Sequence, residues 1–205
     1  MASIKLTKNE LKKQKDDLKQ FQRYLPTLQL KKQQLQSVIM QVDDELKQKQ
    51  AEYVSTINGL DDWVAVISEN SLFSKDLKIE NLVKPHKVVC TDNNIAGIVV
   101  PVFKELTFEE IIYDVADYPL WVDKALIKMR EIARLKVLIE TLKKQSELLN
   151  RELRLTSQRV NLFEKVKIPE AIENIRVIEI YLGDQQTSAV VRGKIAKSKR
   201  QVTAP

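Results

Sequence analysis

The side chains best suited to nucleophilic or metal chemistry are a single histidine, His86, and a single cysteine, Cys90. They lie four residues apart, across Lys87-Val88-Val89. A dyad would require the two side chains to meet, and most metal sites would require further His or Cys ligands that the chain lacks. We therefore interpret Cys90 as a half-buried strand residue and His86 as a loop residue.

The carboxylates that could form an acid/base couple are adjacent in sequence, as in Asp16-Asp17, Asp43-Asp44 and Glu109-Glu110. Adjacent residues do not share a face of a helix, so such pairs make poor couples. Gly97 is isolated, and no glycine-rich phosphate loop is present. We expect no catalytic site, no cofactor and no enzyme activity, which leaves a mechanical or binding function.

Composition favours long solvated helices over a thick core. The 205 residues include only 4 Gly and 6 Pro, and 30% are charged while 6% are aromatic. The sequence contains no run of ~18 apolar residues, so no membrane span is predicted. The first residues lack the apolar core of a signal peptide. Residues 61–120 carry a net charge of −6, whereas the flanks carry +12. This asymmetry indicates different partners for the two ends, or simply ordinary solvated faces.

The first arm of the chain predicts one long helix. Thr7 and Glu10 have capping-box spacing, and from Leu11 a heptad continues for eight repeats, with 12 of 16 a and d positions apolar. Pro26 falls inside this arm and predicts a kink rather than an end.

The last arm begins after Tyr118-Pro119 and carries a second seam, with 8 of 10 positions from Ile132 to Phe163 apolar. Beyond Phe163 the pattern slips, which we interpret as a four-residue stutter, and Pro169 gives a further cause of bending. The segment after Leu182 is predicted to be a single, weaker helix or a disordered tail.

The segment between the arms has strand character. Val88-Val89-Cys90 and Ile98-Val99-Val100 flank Thr91-Asp92-Asn93-Asn94, which predicts a hairpin with a polar turn over about 88–103. Gly97 indicates a bulge or a close approach of the backbone, and Pro101 a strand edge or end. Short helices are plausible at about 62–72 and 107–116, and we expect the hairpin to be dispensable for pairing of the arms.

These patterns predict a mostly α fold: a long antiparallel two-helix coiled coil with a small α+β insert that contains the hairpin. The predicted domains are 1–63, the N-terminal coiled-coil helix; 64–120, the insert; and 121–205, the C-terminal coiled-coil helix and basic tail. The predicted seam comprises Leu11, Leu18, Phe21, Leu25, Leu28, Leu35, Ile39, Val42, Leu46, Ile132, Leu135, Ile139, Leu142, Leu149, Leu153, Val160, Phe163, Ile175, Ile178 and Leu182.

Two motifs resemble a known family. The C-terminal arm reads Arg159-Val160-Asn161-Leu162-Phe163-Glu164, then Ile168-Pro169, then Ile175-Arg176-Val177-Ile178-Glu179 and Leu182. The insert reads Asn94-Ile95-Ala96-Gly97-Ile98 followed by Pro101-Val102-Phe103. Both are similar to segments of the D subunits of V-type (A/V-type) ATPases and ATP synthases, and the length is closest to bacterial and archaeal members.

The resemblance implies a central rotor-stalk protein that transmits torque between the catalytic A/B hexamer and the membrane rotor ring. It implies four partners, namely the A and B subunits, the small stalk component F and the socket component C/d. It also implies a cytoplasmic location peripheral to the membrane, without insertion into it. The motif residues that become candidates for partner contact are Arg159, Asn161, Glu164, Ile168, Pro169, Arg176, Glu179, Asn94, Gly97 and Pro101.

Two other functions remain open from the residues alone. A coiled-coil scaffold unrelated to rotary motors would account for the heptads, although not for the two motifs. A nucleic-acid-binding protein would use basic segments such as Lys12-Lys13-Gln14-Lys15 on phosphates. Aromatic residues are few and fall mostly on seam positions, so no stacking platform for bases is predicted.

Overall fold

The computed structural model describes residues 4–60, 82–109 and 121–202, with side chains placed up to residue 199. Its elements are α1 (Lys8–Asn58), β1 (Pro85–Ile95), β2 (Ile98–Phe108), α2 (Val122–Leu162), a π-helical turn (Phe163–Lys167) and α3 (Ile168–Val202). The fold is mostly α, with long N- and C-terminal helices and an antiparallel hairpin, as predicted. The chain divides into two compact units, one formed by residues 1–32 and 155–205 and the other by residues 33–154.

Helix α1 begins at the predicted cap. The Glu10 N–H donates to the Thr7 hydroxyl at 3.3 Å, which satisfies one of the four free donors of the first turn. The second half of a capping box is missing, because the Glu10 carboxylate accepts from Gln14 at 3.0 Å instead. The helix continues through Pro26, which is exposed.

In the first unit, α1 lies antiparallel to the helical segments from Leu155 onward. The Phe21 and Phe163 rings pack with centroids 5.3 Å apart, and Asn174 donates to Gln14 at 3.3 Å. Residue numbers therefore fall along one helix as they rise along the other. Ile178 forms part of the buried core of this unit.

In the second unit, the helices and the hairpin share one core. Its buried residues are Leu35, Ile39, Val42, Val100, Leu142 and Leu149. A smaller cluster joins Leu82 to Val122 and Leu126 near the start of α2. Because Val100 comes from β2, the main core of this unit is built by three elements.

The hairpin corrects the predicted turn. Residues 91–94 belong to β1, and the turn is formed by Ala96 and Gly97, with φ of 52° and 82°. Two successive positive φ values are the signature of a type I′ turn, whose twist suits a hairpin. Gly97 is thus a turn residue rather than a bulge, and the bulges lie between Pro85 and Lys87 and between Val89 and Cys90.

The strands are also longer than the predicted 88–103. Pro101 pairs with Asp92 within β2 rather than ending it. Thr107 and Phe108 belong to β2, so the helix suggested at about 107–116 does not begin there. The rest of that helix, and the one suggested at about 62–72, lie outside the described residues.

Candidate partner-contact surfaces

The His86 and Cys90 side chains are both exposed on β1, which corrects the interpretation of a half-buried cysteine and a loop histidine. His86 Nδ1 lies 3.9 Å from Glu109, which is also exposed. Over the ranges that the structure describes, no group of three or more His, Cys, Asp or Glu side chains could hold a metal ion. The same ranges contain no helix long and apolar enough to cross a membrane.

Each of the 20 seam residues named above is buried or half-buried. Leu35, Leu149 and Ile178 are fully enclosed, with 0% exposure. Such residues form the interior of each unit, so they leave the outward faces of the helices to meet partners.

The slip in the second seam coincides with the π-helical turn. Counted with its two polar positions, Ser146 and Thr156, the seam advances by three or four residues from Ile132 to Phe163, but the next half-buried position, Ile168, is five residues on. The Ile168 N–H donates to the Phe163 carbonyl, which is the i→i+5 bond of a π-helix. One inserted residue therefore explains the slip, and the stutter of four residues is wrong.

Pro169 follows directly and is exposed. A proline in an α-helix lacks the N–H donor and crowds the carbonyl four residues before it. The wider π-helical turn lies where that crowding would occur. The motif residues that surround it, Arg159, Asn161 and Glu164, are all exposed.

Arg176 and Glu179 are engaged within the first unit. Arg176 donates twice to Glu173, from Nε at 3.0 Å and from Nη2 at 2.6 Å. This bidentate bond holds the pKa of the Glu173 carboxyl below its ordinary value of 4.5 and raises the pKa of Arg176. Glu179 forms an ion pair with Lys15 of α1 at 2.6 Å, so it ties α3 to α1.

The insert candidates lie on the hairpin. Asn94 and Gly97 are exposed near or at the turn. Pro101 is half-buried, and its carbonyl accepts a hydrogen bond from Gln145 of α2. Ile95, Ala96 and Ile98 pack on the core of the second unit, so the base of the turn is anchored to the helices.

Sequence reasoning missed several contacts because they join distant residues. Asp43 accepts from Ser146 at 2.8 Å, and the guanidinium groups of Arg130 and Arg134 each lie 5.6 Å from the centre of the Phe108 ring. The spacing of Arg130 and Arg134 places them on one helix face, but nothing in the sequence pairs that face with Phe108.

The end of α3 has a distinct surface. Every described side chain from 183 to 199 is exposed. Val190, Val191 and Ile195 are 59%, 49% and 52% exposed. Of the two alternatives expected for the segment after Leu182, a single helix or a disordered tail, the structure has the helix. None of the described residues covers the apolar side chains of Val190, Val191 and Ile195.

Known proteins with similar sequences give a consistent result. The family profile of the ATP synthase D subunit matches residues 10–198. The D subunit of the V-type ATP synthase of Borreliella burgdorferi is 50% identical, over 97% of this chain and 95% of that protein. The proteins of the same name from Chlamydia pneumoniae and Chlamydia caviae are 34% and 36% identical, over 97% and 98% of this chain and 93% and 95% of theirs.

The fold and its exposed faces define a helical protein built from paired helices with a hairpin insert. The chain belongs to the D-subunit family of ATP synthases. This membership confirms the central-stalk function implied by the sequence motifs, and it does not support the unrelated scaffold or the nucleic-acid-binding protein.

Proposed function

We propose that this chain is the axle of a V-type ATP synthase and carries torque between a hexamer of A and B subunits and a membrane rotor ring. The family match over residues 10–198 is the observation that carries the proposal. In this proposal the chain performs no chemistry itself. It acts in the cytoplasm, at the membrane periphery, through contacts with the A, B, F and C/d components.

The end of α3 supports contact with the A/B hexamer. Its exposed Val191 and Ile195 are four residues apart and share one face of the helix. Uncovered apolar side chains on a helix favour protein contact over permanent exposure to water. The charged residues Arg192, Lys194 and Lys197 are also exposed, which keeps this segment compatible with water before assembly.

The second unit supports attachment of the hairpin end to another stalk component. The exposed Asn94 and Gly97 belong to a turn that is fixed to the core through Ile95 and Ile98. A turn held by buried neighbours presents its exposed atoms in one geometry, which reduces the ordering that binding requires. We assign this turn to the contact with F or C/d.

The seam supports stiffness, which an axle requires. Two helices paired along an apolar seam resist bending better than a single helix. Ion pairs between the many exposed charges are worth only ~0–1 kcal/mol each, so they can exchange readily as the axle turns. The domain division proposed above, 1–63, 64–120 and 121–205, assigns stiffness to the two arms and attachment to the insert.

An ATPase assay tests the proposal. The chain should hydrolyse no ATP alone and should raise the steady-state turnover of the A and B subunits in a reconstituted complex. Exchanging Val191 and Ile195 for Asp should reduce that stimulation. The matched control is Gln186→Asp, which adds a charge at an exposed position on another side of the same helix.

ATP hydrolysis by the isolated chain, abolished by a point change within it, would contradict the proposal. So would a complex of A and B subunits whose turnover is the same with and without this chain.

A further inference from the structure

The two long edges of the hairpin differ in what they contact. Ile95 and Ile98 flank the two-residue turn and form a hydrogen-bonded pair, so every second pair along the hairpin points its N–H and C=O groups outward instead. On β2 such an outward position is Pro101, which agrees with its missing N–H. The Pro101 carbonyl accepts from Gln145, so the β2 edge contacts α2.

The edge of β1 is open. Its outward positions between the turn and the nearest bulge are Cys90, Asp92 and Asn94, which we call the β1 edge. All three residues are exposed. Their backbone groups form no hydrogen bond with a described residue outside the hairpin. Each offers one N–H and one C=O on the outer side of the strand, at the spacing that another extended strand can match.

The features that protect an edge from strand pairing lie at the far end of β1. Prolines, bulges and charges are the usual protection. Here Pro85 starts the strand, and the bulges lie between Pro85 and Lys87 and between Val89 and Cys90. The β1 edge carries one charge, Asp92, which forms no ion pair with a described residue. The half of β1 near the turn is therefore the half that can accept a further strand.

The residue types of this half suit an edge that bonds to a partner. Asp92, Asn93 and Asn94 are poor strand formers, yet all three lie within β1. Their side chains form no hydrogen bond with a described residue. The hairpin alone would gain more from β-branched residues here, so the polar side chains and the outward backbone groups leave the same edge with unused hydrogen-bonding capacity.

We propose that an extended segment of another stalk component adds to the β1 edge as a third hydrogen-bonded strand, with a Lys or Arg opposite Asp92. The inference rests on the proposed function, because it specifies how the hairpin attaches to F or C/d. Main-chain hydrogen bonds to the outward groups supply the affinity. The cation opposite Asp92 fixes the register, since cross-strand pairs of opposite charge are favourable.

A second copy of this chain fits the β1 edge poorly. Antiparallel pairing of two β1 edges over all three outward positions places Asp92 opposite Asp92, and like charges directly opposite each other are unfavourable. A helix cannot replace the strand, because its own N–H and C=O groups bond to each other within the helix.

Amide hydrogen exchange in the full chain tests this inference. The chain is exchanged alone and in the complex with the A, B, F and C/d components, and NMR of the recovered chain gives the rate of each amide. The N–H groups of Asp92 and Asn94 should exchange about 100-fold more slowly in the complex. The Asn93 N–H is the internal control, because it points toward Val100 within the hairpin and should be protected in both samples.

Two variants at one position separate backbone from charge. Asp92→Pro removes an outward N–H, and Pro101 on the opposite strand shows that the hairpin accepts proline at such a position. It should weaken binding of purified F or C/d, whichever protects the edge, about 10-fold or more. Asp92→Ala keeps the N–H and should weaken binding only about 3-fold, with an effect that vanishes at high salt. Protection of the Asn93 N–H shows that the hairpin of each variant is intact.

Four results would overturn the inference. They are equal exchange of the Asp92 and Asn94 amides in the free chain and the complex, protection of these amides in the isolated chain that grows with its concentration, equal affinities of Asp92→Pro and Asp92→Ala, and an Asp92→Ala affinity equal to that of the unaltered chain. If the complex still assembles and hydrolyses ATP, each of them leaves the proposed function intact. Failure of the unaltered chain to assemble with the A and B subunits would instead contradict both.

Discussion

Replacing Leu149 by alanine should measure how much the seam contributes to folding. The Leu149 side chain has 0% exposure and packs in the core of the second unit with Leu35, Ile39 and Leu142. The change removes three carbon atoms, worth roughly 2.4 kcal/mol at about 0.8 kcal/mol per buried CH₂. The cavity left behind adds about 1–1.5 kcal/mol, so the expected loss of unfolding free energy is about 3–4 kcal/mol.

The adjacent residue provides the control. Leu148 is 38% exposed and lies outside the core of the second unit, so Leu148→Ala creates no closed cavity and should cost about 1 kcal/mol or less. Urea unfolding followed by helical circular dichroism gives both values. In thermal melts, Leu149→Ala should lower Tm by roughly 10 °C, since 1 kcal/mol shifts a chain of this size by about 2–4 °C. Equal losses for the two variants, or a larger loss for Leu148→Ala, would mean that the seam is displaced by one residue.

Three further predictions concern local backbone and charge. Gly97→Val should destabilise the chain by about 1–2 kcal/mol because φ at this position is +82°. Gly183→Ala should stabilise it by up to ~1 kcal/mol because Gly183 lies within α3 with open space around it. Urea unfolding of both variants gives the sign of each change in unfolding free energy. Deleting Lys165 should convert the π-helical turn to α-helix and place Pro169 against a regular α-helical turn. Adding Pro169→Ala to the deletion should then restore about 3 kcal/mol of unfolding free energy. Equal unfolding free energies for the two deletion variants would refute this account of the turn. In an NMR titration, Arg176→Gln should raise the pKa of Glu173 toward 4.5. Because the pKa of Glu173 is lowered in the folded state, the bond to Arg176 stabilises the helix at pH values above the unfolded-state pKa, and this stabilisation is lost as the pH falls through the folded-state pKa. An unchanged pKa of Glu173 in the variant would exclude Arg176 as the cause of the shift.

The helices were predictable from sequence because their signal repeats. A residue such as Leu35 or Leu149 is one of many at the same spacing, so single polar exceptions such as Lys32 do not hide the pattern. The cap at Thr7 was also readable, since N-capping depends on neighbours three residues apart.

The hairpin turn was placed wrongly because polarity was taken as the signal. Residues 91–94 are polar, but they belong to one strand of a two-stranded sheet, where Asp92, Asn93 and Asn94 are exposed. The better indicator was Gly97, since a type I′ turn requires positive φ at both central positions. Ala96, which adopts φ of 52°, gave no such signal.

Contacts between distant residues could not be read from periodicity. Gln145 donates to the carbonyl of Pro101, and this bond ties β2 to α2 across 44 positions of sequence. Together with the buried Val100, it makes the hairpin part of the core of the second unit. The expectation that the arms pair without the hairpin stays a prediction. The slip after Phe163 was visible in sequence, but its cause was not, because a stutter of four residues and a π-helical turn of one inserted residue both shift a seam.

A rotation assay tests most directly whether this chain is the axle. Cys90 is the only cysteine and is exposed on β1, so it can carry a single biotin and a bead without engineering, and Cys90→Ser serves as the labelling control. With the A and B subunits fixed to a surface, addition of ATP should turn the bead continuously in one direction. A surface-fixed complex that hydrolyses ATP while its Cys90-linked bead shows no directed rotation would contradict the account.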